Sequence, residues 1–174
     1  RSSAASDVYK RQWEKQADDI YTTDCLFYHL SMACNHCDDP ACVSVCPTTA
    51  MHKEGKRGLV LVDETKCVGC GYCVMACPYN APKVSRELGY SVKCNGCEER
   101  LNQGLQPICV MSCPLRALDF GPIDELRKKY GDTAEIHPMP SASYTHPNIT
   151  IKPSPAALDP AASKAHVANP KEVQ

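Results

Sequence analysis

The side chains best equipped for chemistry in this chain are its cysteines, 13 in 174 residues. Twelve fall into three quartets: Cys34, Cys37, Cys42 and Cys46; Cys67, Cys70, Cys73 and Cys77; Cys94, Cys97, Cys109 and Cys113. The middle quartet, Cys67-Val-Gly-Cys70-Gly-Tyr-Cys73-Val-Met-Ala-Cys77-Pro78, has the spacing C-x2-C-x2-C-x3-C-P. That spacing suits a [4Fe–4S] cube. Three close thiolates wrap one loop around three iron corners, and the loop N–H groups can then turn toward the sulfides. Small residues let the main chain come that close, and Gly69, Gly71 and Gly96 meet the need.

The fourth cysteine sits one helical turn past the third, and in paired cubes it ligates the neighbour. On that rule Cys34, Cys37 and Cys42 share cluster one with Cys77, and Cys67, Cys70 and Cys73 share cluster two with Cys46. Each quartet ends in Cys-Pro and a similar segment: Cys46-Pro-Thr-Thr-Ala50, Cys77-Pro-Tyr-Asn-Ala81, Cys113-Pro-Leu-Arg-Ala117. Such a repeat implies stacked copies of one supersecondary unit.

Other chemistries compete unequally. Zinc takes four ligands and favours C-x2-C pairs, so it remains open for the third quartet, with its long spacer, and suits the middle one poorly. A disulfide framework fails, because the cysteine count is odd and the spacings suit metals. Cys25 lies outside the pattern and reads as a small, partly buried apolar residue. His36, inside Cys34-Asn-His-Cys37, is a conceivable iron ligand, but four cysteines already suffice. Lys66, Lys83, Arg86, Lys93, Arg100 and Arg116 lie near the ligands in sequence and could offset cluster charge. No Ser/His/Asp constellation, phosphate loop or paired carboxylates stand out.

Elements must hold these loops. Residues 20–33 read as a strand beside the first quartet. Ala50-Met-His-Lys, Glu54-Gly-Lys-Arg-Gly58 and Leu59-Val-Leu-Val62 read as a β-hairpin, while Val43-Ser-Val and Val74-Met-Ala fit single helical turns. Gly121-Pro-Ile-Asp-Glu-Leu-Arg-Lys-Lys-Tyr-Gly131 carries every mark of a helix: proline to open, acids first, bases last, glycine to close. Half of the 14 prolines lie between Pro138 and Pro170, which predicts an extended tail.

The expected fold class is α+β: ferredoxin-like repeats for two [4Fe–4S] clusters, short β-hairpins, single-turn helices and an extended Pro-rich C-terminal tail. The expected divisions are 1–12, non-native or disordered; 13–120, a polyferredoxin-like iron–sulfur domain; 121–131, a helix; and 132–174, an extended partner-binding tail. A net charge of −1 gives no nucleic-acid signature, and no apolar run suits a direct membrane span. With 6% aromatic residues the apolar core is small, so clusters should supply much of the stability.

Ser31-Met-Ala-Cys-Asn-His-Cys-Asp-Asp-Pro-Ala-Cys42, Cys70-Gly-Tyr-Cys-Val-Met-Ala-Cys-Pro-Tyr79 and Gln106-Pro-Ile-Cys-Val-Met-Ser-Cys-Pro-Leu-Arg-Ala-Leu118 resemble the iron–sulfur subunit of the dimethyl sulfoxide reductase family. So do Gly121-Pro-Ile-Asp-Glu-Leu126 and Pro147-Asn-Ile-Thr-Ile-Lys-Pro153, and the resemblance runs from about Trp13 to the C-terminus. It implies a subunit between a molybdopterin catalytic subunit and an integral-membrane anchor that oxidises quinol, on the periplasmic face, with export carried by the catalytic partner. A related branch places tryptophan where Cys73 stands here, so a full cube is implied. The family carries four cysteine groups, up to four cubes, and this chain shows three groups. The resemblance therefore implies N-terminal truncation. Cys94, Cys97 and Cys109 would hold a third cluster lacking its fourth ligand, Cys113 would serve a cluster whose other cysteines are missing, and Cys25 is a conceivable substitute.

The expected role is a non-catalytic electron-transfer subunit, passing electrons from quinol to a site of S-oxide or N-oxide reduction. A free-standing polyferredoxin and a zinc-structured interaction module are the alternatives.

Overall fold

The structure is a computed structural model that describes residues 13–15, 21–23, 28–164 and 167. Residues 1–12 and Cys25, each given a reading above, lie outside the described residues. The chain divides into two compact units: Ala33–Glu135 with Pro140–Lys152, and Arg1–Met32 with Ile136–Met139 and Pro153–Gln174.

In the second of these, strands β1 (Trp13–Lys15) and β2 (Tyr21–Thr23) pair antiparallel, Trp13 opposite Thr23. The strand expected over 20–33 is thus confined to Tyr21–Thr23 among the described residues, with none over 28–33. Tyr28 is buried, and its hydroxyl donates to the His137 carbonyl.

The other unit contains all three quartets. Helix α1 (Ala41–Ser44) opens behind Pro40, whose fixed φ suits a helix start. Strands β3 (Met51–Lys53) and β4 (Val60–Val62) form the expected hairpin, Met51 opposite Val62. Glu54 shapes its turn by accepting from Lys56 and Arg57 N–H at 3.0 and 2.9 Å. Helix α2 (Tyr72–Ala76) follows Gly71, which takes the left-handed φ of 79° that a side chain would resist. A second hairpin, β5 (Lys83–Val84) with β6 (Ser91–Val92), and helix α3 (Glu98–Asn102) were not anticipated. Helix α4 (Ile108–Met111) precedes the third Cys-Pro. Helix α5 (Ile123–Tyr130) runs from Pro122 to Gly131, with Asp124 and Glu125 in its first turn and Arg127, Lys128 and Lys129 in its last.

The core is small and lies between the first two quartets. Cys42, Met51, Val60 and Cys73 form one buried cluster, flanked by Val43, Cys46, Val62 and Val74. α1, α2 and the β3–β4 hairpin therefore meet where cysteines from two repeats meet.

The tail departs from expectation. Residues 140–152 belong to the cysteine-bearing unit and strap its first ligand loop. Asp38 and Asp39 N–H donate to the His146 and Thr145 carbonyls at 2.8 and 3.1 Å, and Asn148 N–H donates to Asn35 O at 3.0 Å. Proline forbids helix interior but not an extended strap, and Pro147 is fully buried in this one. Short helical turns also occur in the tail, at Ala142–Tyr144, α6 (Pro155–Leu158) and Pro160–Lys164.

Candidate metal centre

The three repeats share one backbone design. The residue two past each first cysteine is left-handed: His36 at φ 44°, Gly69 at 65°, Gly96 at 67°. So is the residue three past each last cysteine: Thr49 at 54°, Asn80 at 53°, Arg116 at 50°. There the N–H closes a turn onto the carbonyl of Cys46, Cys77 or Cys113, at 3.4, 3.1 and 3.2 Å. Asparagine tolerates this conformation readily; threonine and arginine take it at some cost.

Cys77, from the second repeat, lies near enough to Cys34, Cys37 and Cys42 to act on all three thiols. The thiols of Cys34, Cys37 and Cys42 all feel the charge of Cys77; Cys37 also feels Cys34, and Cys42 feels both Cys34 and Cys37. Burial first, then these like charges, push Cys42 up to about 12. Cys34 and Cys37 are raised chiefly by burial. Lys93 opposes the rise at Cys34 and Cys42, and a Thr145 hydroxyl hydrogen bond opposes it at Cys37. Such thiols ionise only when a cation compensates them, and coordinated iron does that.

Three cysteines of the second quartet and the last of the first line one recess. Cys46, Cys67, Cys70 and Cys73 surround it together with Met51, Val62, Gly69, Gly71 and Ser91. Main-chain donors already point at the sulfurs. Met51 N–H, at the start of β3, reaches Cys46 Sγ at 3.3 Å, and Ser91 N–H, at the start of β6, reaches Cys67 Sγ at 3.4 Å. Ser91 Oγ is also 3.4 Å from Cys73 Sγ. Burial acts to raise the Cys46 thiol, but Met51 N–H and the Thr48 hydroxyl and N–H outweigh it and lower the pKa. Gly69 is forced by close approach: a Cβ there would lie 2.5 Å from Gly89 O.

The third quartet is looser. Cys94 and Cys109 are exposed, while Cys97 and Cys113 are half-buried. Gly96 N–H donates to Cys94 Sγ at 3.4 Å and Ala117 N–H to Cys113 Sγ at 3.3 Å; the latter bond lowers the Cys113 thiol. Cys94 lies close enough for its charge to reach Cys34.

Of the cations singled out, Lys93 reaches the thiols of the first quartet. Its ammonium donates to the carbonyls of Val60 and Cys94, the latter at 3.0 Å. Lys66 instead pairs with Asp63 at 2.8 Å, Arg100 donates to Gln106 O, and Arg116 donates to Met111 O. Sequence reasoning missed Thr145, Tyr79 and Ser91 beside the cysteines. Thr145 comes from the strap and donates to Tyr79 OH at 3.4 Å, and both are buried.

These surroundings fit [4Fe–4S] clusters. Two buried donors in the first loop, Asn35 Nδ2 and His36 Nε2, have no partner among the described residues, as expected beside a group rich in acceptor sulfur.

The comparisons agree. The family description "4Fe-4S dicluster domain" matches residues 25–123. The sequence is 52% identical over 161 residues to the B subunit of the anaerobic dimethyl sulfoxide reductase of Escherichia coli strain K12, covering 92% of this chain and 78% of that protein. It is 50% identical over 162 residues to the same subunit from Haemophilus influenzae, covering 93% and 78%. A thiosulfate reductase electron transfer subunit of Salmonella typhi is 44% identical over 100 residues, 57% of this chain and 52% of that one. The shared dicluster domain, and identity extending over nearly the whole chain, account for the thiol-lined geometry: this chain is a member of the 4Fe–4S dicluster proteins, among the non-catalytic iron–sulfur electron-transfer subunits of the dimethyl sulfoxide reductase family.

Proposed function

We propose that this chain relays single electrons from a quinol-oxidising membrane anchor to a molybdopterin catalytic subunit that reduces an S-oxide or N-oxide. The observation that carries the reading is the interlocking of the first two quartets. Cys77 belongs electrostatically with Cys34, Cys37 and Cys42, while Cys46 shares a recess with Cys67, Cys70 and Cys73. Those two sets are the ligands of clusters one and two. Cys94, Cys97 and Cys109 offer three corners to a third cluster, and Cys113 is a ligand to a further one.

The bound cubes supply one-electron chemistry over a wide range of potential. The chain's own residues set the surroundings. Lys93 favours extra negative charge near Cys34 and Cys42, and Met51 and Ser91 N–H do so at Cys46 and Cys67. Among the described residues no helix is long and apolar enough to cross a membrane. Attachment on the periplasmic face would run through the anchor partner. The names of the relatives, a subunit of a dimethyl sulfoxide reductase and an electron transfer subunit of a thiosulfate reductase, support a reductase partner.

The test is anaerobic purification with associated subunits, iron and sulfide quantification, and EPR during quinol-driven reduction. The expected result is cluster reduction by quinol and reoxidation by the S-oxide. Cys77→Ser and Cys46→Ser should each remove a different cube. Loss of the same signal in both variants would dismantle the ligand assignment, and clusters unresponsive to quinol would dismantle the relay.

A further inference from the structure

His36 serves none of the ligand assignments, yet its ring is firmly held. Its Nδ1 accepts the Val60 N–H at 2.9 Å. A ring nitrogen that accepts from a peptide N–H carries no proton, so in the neutral ring the proton sits on Nε2. Nε2 is buried and has no partner among the described residues. Buried N–H donors are rarely left unpaired, because their lost hydration is not replaced.

Position narrows what that partner is. The ring hangs from the turn between Cys34 and Cys37, at a φ of 44°. Its anchor Val60 is 1% exposed and packs in the same core cluster as Cys42. The Val60 carbonyl accepts the Lys93 ammonium. Val60 thus holds one donor-bearing ring and one cation close to the first quartet. The second loop has Gly69 at the matching turn position and the third has Gly96, so neither has a side chain there.

We propose that His36 Nε2–H donates a hydrogen bond to a sulfur of cluster one, either a cluster sulfide or a ligand thiolate, and raises that cluster's potential. The proposal rests on the ligand reading given above for Cys34, Cys37, Cys42 and Cys77. Reduction places one more negative charge on the cluster. A fixed N–H donor is held more strongly by the reduced form, so the donor shifts the equilibrium toward reduction. Clusters two and three have no counterpart, and the effect is confined to one cluster.

The experiment uses the full chain with its associated subunits, grown with ring-15N histidine and reduced for pulsed EPR. A 15N coupling to one cluster is expected in the parent and is absent in His36→Leu. In redox titrations His36→Leu lowers the midpoint of that cluster alone, by about threefold to tenfold in its reduction equilibrium constant, tenfold being about 59 mV for one electron. His36→Gln, which keeps an N–H, restores part of the shift. Absence of 15N coupling in a parent sample with full iron content overturns the proposal, as does a His36→Leu protein with full iron and unchanged midpoints. Should His36→Leu lose iron, the parent coupling alone decides. Cys37→Ser tests the ligand reading separately: an unchanged cluster complement there removes that reading, whatever the 15N result.

Discussion

The first two quartets and the third are cut from one pattern and end in different surroundings. All three close the same turn after Cys-Pro, at Thr49, Asn80 and Arg116. Yet Cys42 and Cys73 are buried together, whereas Cys94 and Cys109 stand exposed, as do Ile108, Met111 and Leu115. The repeat therefore encodes how sulfurs are presented by their own loop. Burial needs a second repeat and the adjoining hairpin, and on the proposed ligand assignment the second repeat also supplies the fourth thiolate.

The largest test of that contrast is removal of iron. Without a cation, burial and like charges keep the Cys42 thiol neutral, and the apolar core between the quartets offers few side chains in compensation. Chelation of the reduced protein should abolish most of the far-UV circular dichroism of the cysteine-bearing unit. Retention of the native spectrum would show that the hairpins and strap hold the unit by themselves.

A single ligand from each region sharpens the comparison. On the proposed assignment Cys42→Ser should eliminate cluster one and lower the melting temperature, since that thiol lies inside the core. Cys109→Ser should leave the EPR signals of clusters one and two unchanged, since Cys109 is exposed and outside both ligand sets. Equal losses from both substitutions would mean that the three quartets assemble as one cooperative unit.

What was legible in the sequence follows the same division. The quartets, the 50–62 hairpin and α5 are local patterns, fixed by spacing, by alternating Val and Leu, or by proline and glycine at the ends. The β5–β6 hairpin escaped notice because each strand has two residues, too few for a period. The strap escaped because its bonds join residues far apart in sequence, such as His146 with Asp39 at 2.8 Å. Nothing in Ser-Tyr-Thr-His signals that Thr145 will lie beside Cys37 and Tyr79. For His36, the spacing showed its place among ligands, but only the Val60 contact fixes which nitrogen carries the proton.

Glycine substitutions probe the loops more gently. Gly69 and Gly96 share a left-handed φ, but their neighbours differ. A Cβ at Gly69 meets the Gly89 carbonyl oxygen at 2.5 Å, which is backbone, while one at Gly96 meets Leu59 Cδ2 at 2.9 Å, the end of a side chain. Gly69→Ala should cost about 3 kcal/mol or more, from strain and overpacking together. Gly96→Ala should cost about 1–2 kcal/mol, mostly from strain. Chemical denaturation of the cluster-loaded protein measures both, and a reversed order would contradict the backbone contact at Gly89.

The smallest effect belongs to α5, which local rules explain without any cluster. Asp119 accepts from Lys129 Nζ at 2.8 Å and Tyr130 OH at 2.7 Å, and these two bonds hold its carboxyl down at about 2. The same contacts raise Lys129 above the usual ammonium range. A depressed carboxyl contributes stability that is present above its unfolded value near 4 and is lost as pH falls through its folded value. A raised ammonium contributes below its unfolded value near 10.4 and is lost as pH rises through its folded one. Asp119→Asn should therefore lower the melting temperature by about 1–2 °C, small because the pair is solvent-screened. The gap should be flat between about pH 5 and 9. Midpoints and EPR signals of clusters one and two should not move. A gap that varies inside that window would point to another titrating group beside Asp119. A change in the cluster signals would tie α5 to the ligand loops and erase the distinction between a helix that folds by local rules and cysteine loops that need their neighbours.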